Sequence, residues 1–86
     1  MTILEILNEE LIKIFDKLNY DKKYAFFQYS DRPDLSDFQT NCAMPLCKTL
    51  KKNPIEIAKT IILELQQTNL FKEVSVAGAG FINVII

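Results

Sequence analysis

The chain contains no histidine and no tryptophan, and among its 86 residues there are only two glycines, two cysteines, three prolines and a single arginine. Without histidine there is no imidazole to move protons near neutral pH or to ligate a metal, and two cysteines cannot complete a four-ligand zinc site. Both glycines lie in Gly78-Ala79-Gly80, which leaves no glycine-rich phosphate loop. No nucleophile stands beside a base, so catalysis by this chain alone is not expected. The apolar runs fall short of the roughly 18 residues of a membrane span, and Met1 to Glu10 lacks the basic start and apolar stretch of a secretion signal. A cytoplasmic location without a membrane partner is the expectation. In a reducing compartment Cys42 and Cys47 read as free thiols; five apart on a helix, they stand about 140° apart round its axis and do not converge.

Charge of one sign is also scarce. The formal net charge of −1 counts against a protein that holds nucleic acid by its overall positive field, so any such partner has to be met by local recognition of exposed bases. Hydrophobic residues make up 49% and charged residues 24%, an ordinary globular composition, and 86 residues have room for one core. One domain spanning residues 1–86 is expected, as a monomer.

Thr2 and Glu5 form a capping-box pair that starts a helix, whose apolar stripe is Leu4, Leu7, Leu11, Phe15 and Leu18. Tyr24 to Tyr29, aromatic and free of glycine and proline, predicts a strand. Asp31, Arg32, Pro33, Asp34, Ser36 and Asp37 mark a turn-rich loop, after which Phe38 and Gln39 add a short strand. Thr40 or Asn41 offers a cap for a second helix running to about Lys52, with Ala43, Leu46, Cys47 and Leu50 as its stripe. Asn53-Pro54 supplies a cap and a first-turn proline for a third helix carrying Ala58, Ile61, Ile62 and Leu65. Val74 and Val76 alternate with polar residues, Gly78-Ala79-Gly80 turns the chain, and Phe81 to Ile86 resumes an extended run, which together predict a hairpin. The fold class is α+β: an antiparallel sheet of three to four strands with three helices packed on one face, in the order α-β-(β)-α-α-β-β. The chain stops at Ile85-Ile86 in an apolar strand, which suggests a piece cut from a longer protein at a domain edge.

Asp31, Asp34 and Asp37 can be weighed as acid-base or cation-binding groups, but in a turn-rich loop aspartates more commonly bond their own backbone. Lys48, Lys51 and Lys52, with Lys59 beyond, either face a phosphate backbone or form a solvated helix face, and Arg32 stands on the same footing. Strand alternation sets Ile82, Val84 and Ile86 toward the core and puts Phe81 with Asn83 on the opposite face beside the Gly78 to Gly80 loop. A flat ring next to an amide suits an unstacked nucleobase; it also suits simple packing on a neighbouring strand.

Two stretches carry a resemblance: Ser36-Asp37-Phe38-Gln39-Thr40-Asn41-Cys42-Ala43-Met44 leading to Leu46-Cys47-Lys48, and Gly78-Ala79-Gly80-Phe81-Ile82-Asn83. With Asn53-Pro54 and Ile57-Ala58 between them, they resemble the N-terminal domain of arginyl-tRNA synthetases over nearly the whole chain. Ser36 stands for that family's usual glycine, Cys47 for alanine and Ala79 for the hairpin proline, the last making the hairpin less rigid. The resemblance implies a domain that contacts the D-loop of arginine tRNA, with Phe81 stacking on a base, Asn83 reading its edge and Gly78 and Gly80 shaping the loop. It implies no cofactor here. ATP with magnesium would be used by a catalytic domain of the same polypeptide, which joins arginine to tRNA. The rival expectation is an interaction module that binds a partner through an exposed sheet face or edge.

Overall fold

The computed structural model describes residues 2–86. Its elements are α1 (Ile3–Leu18), a 3-10 turn (Lys22–Tyr24), β1 (Gln28–Tyr29), β2 (Phe38–Thr40), α2 (Ala43–Leu50), α3 (Pro54–Gln66), β3 (Glu73–Ala77) and β4 (Phe81–Ile85). The four strands form one antiparallel sheet in the order β1-β2-β4-β3. The α+β class, the three helices, the short second strand and the element order all match expectation.

Helix α1 starts with the reciprocal Thr2–Glu5 capping box and ends where Asn19 turns left-handed, its amide donating to Asp16 and Phe15 carbonyls. It buries Leu7, Leu11, Ile14 and Phe15, with Leu4 and Leu18 partly buried against the same core, so the expected stripe is kept and widened by Ile14. Asn53 caps α3 by accepting a hydrogen bond from Ile55 N at 2.8 Å, with Pro54 in the first turn where it has no amide to waste. Buried Ile57, Ala58, Ile61, Ile62 and Leu65 give α3 the widest apolar face, and it is this helix that lies on β3 and β4 while α1 and α2 pack against it. Facing it are Ile82 and Val84, fully buried, with Phe38 and Thr40 across from them on β2 and Val74 and Val76 on β3.

Three expectations need correction. The strand predicted over Tyr24 to Tyr29 shrinks to Gln28–Tyr29, because the preceding amides are already committed: Tyr24 N and Ala25 N bond back to Asp21 and Lys22 carbonyls, and Phe27 N donates to Asn8 Oδ1 at 2.7 Å. Helix α2 ends at Leu50 and not near Lys52, since Lys51 adopts φ 55° and closes the helix through Cys47 O; neither Thr40 nor Asn41 caps it by a side chain, the Thr40 hydroxyl accepting from Cys42 N instead. Ile86 lies beyond β4 and is 42% exposed, so the core face of that strand is Ile82 and Val84 alone.

Candidate nucleic-acid interface

Residues paired across an antiparallel ladder share a face, and here that rule assembles the site. Gln28, Gln39, Asn83 and Ser75 are successive partners across β1, β2, β4 and β3, and Phe81 pairs with Ala77 one step along. Ile82 and Val84 hold the buried face, so this row of amides and the Phe81 ring occupy the face away from the helices.

The loop between β1 and β2 folds over one side of that face. It is tied down at many points: Ser30 N bonds to Asp37 O, Asp37 N to Val84 O, Leu35 N and Ser36 N both to Arg32 O, and the buried Ser36 hydroxyl to that of Ser30 at 2.8 Å. Arg32 is therefore part of a compact turn, not slack chain. Between this loop and the hairpin lies an open pocket of about 280 Å³ lined by Ser30, Asp31, Arg32, Leu35, Gln39, Ala77, Gly78, Phe81 and Asn83. Its size is near the lower end of the roughly 300–1,000 Å³ that holds drug-sized ligands, suited to one planar heterocycle. Leu35, one of the most exposed aliphatic side chains, and Phe81 supply its apolar surface, while Gln39 and Asn83 supply amides. The Asn83 side chain makes no hydrogen bond to protein among the described residues, which leaves its donors and its acceptor free.

The hairpin's shape depends on both glycines. Gly78 has φ 57° and Gly80 φ 139°, and Gly80 N donates to Ala77 O to close the turn. A Cβ on Gly80 would lie 2.9 Å from Pro54 Cβ, so the hairpin is pressed against the start of α3. Phe81 begins β4 directly after this contact, and its placement is inherited from it.

The other candidates divide. Arg32 lines the pocket and is bonded through Nε and Nη2 to both Asp34 oxygens, at 3.3 and 3.2 Å, an exposed pair that solvent weakens. Lys48, Lys51 and Lys52 are exposed, make no ion pair among the described residues and do not line the pocket; Lys51 and Lys52 immediately precede Asn53-Pro54, on which the hairpin rests. Asp31, Asp34 and Asp37 bond partners other than their own backbone: Gln39 Nε2, Arg32 and Ile86 N respectively. Among the described residues no three histidine, cysteine, aspartate or glutamate side chains gather as metal ligands, and no helix is long and apolar enough to cross a membrane. Cys42 is buried and its thiol is pushed up to about 11 by burial, against which a hydrogen bond from Thr40 acts; Cys47 is half-buried and donates to Met44 O. Sequence reasoning missed Leu35 and Gln39 as pocket residues. The alternation signal was present for Gln39, but only the strand register shows that it stands opposite Asn83.

Comparison with known proteins shows the family. A family model described as the arginyl tRNA synthetase N terminal domain matches residues 1–86. The arginine-tRNA ligase of Alkaliphilus oremlandii is 46% identical over 71 residues, covering 83% of this chain and 12% of that protein. That of Francisella tularensis subsp. novicida is 42% identical over 84 residues, covering 98% of this chain and 14% of that protein. The chain thus spans about one seventh or less of the length of these curated relatives.

Proposed function

The chain belongs to the arginyl-tRNA synthetase N-terminal domain family, and from that premise we propose that its open sheet face takes an unpaired base from the D-loop of arginine tRNA. The observation that carries this reading is the pocket in which the Phe81 ring and the unpartnered Asn83 amide stand together on the face the helices leave uncovered. Phe81 stacks on the base, and Asn83 bonds its edge with one donor and one acceptor. Gly78 and Gly80 hold the hairpin that presents them. Lys51 and Lys52, with Lys48 behind them, meet phosphates flanking the base, and Arg32 contributes from the loop. The rest of the polypeptide, an arginine-tRNA ligase using ATP with magnesium, performs the arginylation; this chain orients and discriminates its tRNA, aiding the chemistry by positioning.

Partner capture through a sheet edge is less well supported. The edge strands are the two-residue β1 and β3, and β3 alternates exposed Glu73 and Ser75 with half-buried valines, which is not an open apolar edge.

The test is a titration at low salt of the wild-type chain and its Phe81→Ala, Asn83→Ala double variant with arginine tRNA and with a copy altered in the D-loop. Loss of one stacked base costs roughly 1–3 kcal/mol, so Phe81→Ala by itself should weaken binding by about 5- to 150-fold. Altering the D-loop should cost the wild type similarly and the double variant almost nothing. Binding that is indifferent to both changes refutes the reading; a wild-type chain that does not bind alone confines the function to the full-length ligase, where normal arginylation by the Phe81→Ala variant refutes it.

A further inference from the structure

A carboxylate only accepts hydrogen bonds, and this determines which way round the Gln39 side chain sits. Asp31 Oδ2 lies 3.2 Å from Gln39 Nε2, so the amide's NH2 end faces the loop and its carbonyl oxygen is turned away from Asp31. That oxygen makes no hydrogen bond to protein among the described residues, yet no buried side-chain polar atom is left sealed without a partner. Gln39 is only 9% exposed and lines the pocket. The pocket is therefore the opening through which its oxygen is reached. Directly across the ladder stands Asn83, with Cβ atoms of such pairs roughly 4.5–5.5 Å apart. Two side-chain amides thus lie side by side in the pocket that Phe81 also lines, one of them free to present either end and the other locked with its acceptor outward.

We propose that Gln39 is a second specificity-determining residue of this site, accepting a hydrogen bond from an N–H on the edge of the bound base, and that Asp31 is its positioning residue. This rests on the base-binding reading above. Asp31 does not touch the base; it acts by denying Gln39 the flipped orientation, in which the amide would present donors where an acceptor is wanted. A base offering a carbonyl at that point would meet the Gln39 oxygen, lone pair against lone pair, and be rejected.

The plain structural alternative is that the Asp31–Gln39 bond only tethers the loop to the sheet, and one substitution separates the two. Asp31→Asn keeps a hydrogen-bonding partner for Gln39 and so keeps the tether. An asparagine can turn either end toward Gln39, however, and the orientation is no longer imposed. The experiment titrates the wild-type chain, Asp31→Asn, Gln39→Met and Phe81→Ala against four arginine tRNAs that differ only in the D-loop base, with circular dichroism confirming each fold. The wild type should discriminate among the four. Asp31→Asn and Gln39→Met should each lower the ratio of best to worst affinity by about 3- to 10-fold, the worth of one hydrogen bond, by weakening the best-bound RNA and relieving the rejection of the worst-bound one. Combining them should lower it no further. Wild-type discrimination retained by both variants while Phe81→Ala loses binding overturns this proposal and leaves the base-binding reading in place. A uniform loss of affinity across the four RNAs shows a scaffold role and also overturns it. A wild type that binds all four alike removes the base-binding reading and this proposal together.

Discussion

Gly80→Ala is expected to destabilise the chain by about 4 kcal/mol, well beyond the same change at Gly78. Gly80 holds φ at +139°, and an added Cβ would lie 2.9 Å from Pro54 Cβ and 3.3 Å from the Pro54 carbonyl carbon. An L side chain at that φ carries roughly 1–3 kcal/mol of backbone strain. Pro54 is a closed ring at the first position of α3, held by the Asn53 cap, so it cannot retreat as a long flexible side chain would. Overpacking of this kind costs roughly 1–3 kcal/mol more. The sum is a large share of the roughly 4–13 kcal/mol expected for a chain of this length. At Gly78, with φ +57°, an added Cβ meets only Phe81 Cδ2 at 4.0 Å, an ordinary contact. There only the left-handed backbone counts, about 1–2 kcal/mol. Urea unfolding followed by far-ultraviolet circular dichroism reads the difference: with a denaturant slope of about 1 kcal/mol per molar, the two midpoints should lie roughly 2 M apart. Coincident midpoints would refute the claim that the hairpin is seated by close approach to Pro54, and with it the account of how Phe81 is placed.

Burial raises the Cys42 thiol from 9.0 to about 11, and it also raises the Tyr20 phenol, with Cys42 adding to that rise. Both groups are neutral when protonated and have folded pKa values above the unfolded ones, so their stabilisation is complete below the unfolded pKa and is lost as pH rises through the folded one. For Cys42 that is about 2–3 kcal/mol lost between pH 9 and 11, and Cys42→Ala should show a flatter decline over that window in urea unfolding. At neutral pH a thiol reagent should label half-buried Cys47 well before Cys42, which should react only as the chain opens. Replacing Lys48, Lys51 and Lys52 together by alanine should make RNA binding less sensitive to salt, lowering the log–log slope by up to roughly 0.7–0.9 for each phosphate no longer neutralised, without altering the preference among D-loop bases. An unchanged slope would return these lysines to an ordinary solvated face.

The elements legible in the sequence were those whose signals are local and repeated. The capping pair Thr2 and Glu5, the Asn53-Pro54 start and the 3.6-residue stripes of α1 and α3 all follow from contacts within a few residues, and the structure keeps each of them. Tyr24 to Phe27 misled because β propensity measures fit to a pleated surface, whereas here the backbone is diverted by the Asp21 cap and by an amide acceptor nineteen residues earlier, Asn8. Ile86 misled because alternation says nothing about where pairing stops. The two-sided character of β4 was legible, since Ile82 and Val84 alternate with Phe81 and Asn83. What that strand faces was not: the loop that walls the pocket is built from turns around Arg32 and from the distant bonds Asp37 to Val84 and Ile86.

A chain of net charge −1 offers little to a polyanion at long range, and two carboxylates, Asp31 and Asp34, stand on the very loop that borders the pocket. Both are already occupied locally, Asp34 by the Arg32 guanidinium and Asp31 by the Gln39 amide. The polar surface left unclaimed inside the pocket is neutral, the Asn83 amide and the Gln39 carbonyl next to the Phe81 ring, while the carboxylate on the same sheet face, Glu73, lies outside it. Neutral groups with directional donors and acceptors bind through geometry and lose little to screening, whereas phosphates are bound through charge and released steeply as salt rises. Such a face is poorly made to gather RNA and well made to distinguish one unstacked base once the RNA is already held. On the proposed reading a division of labour follows, in which the affinity for tRNA would reside mainly in the rest of the polypeptide and this domain would contribute discrimination. Grafting additional lysines onto α2 should therefore raise affinity for all RNAs alike, and measured selectivity among D-loop variants should stay where the two amides set it.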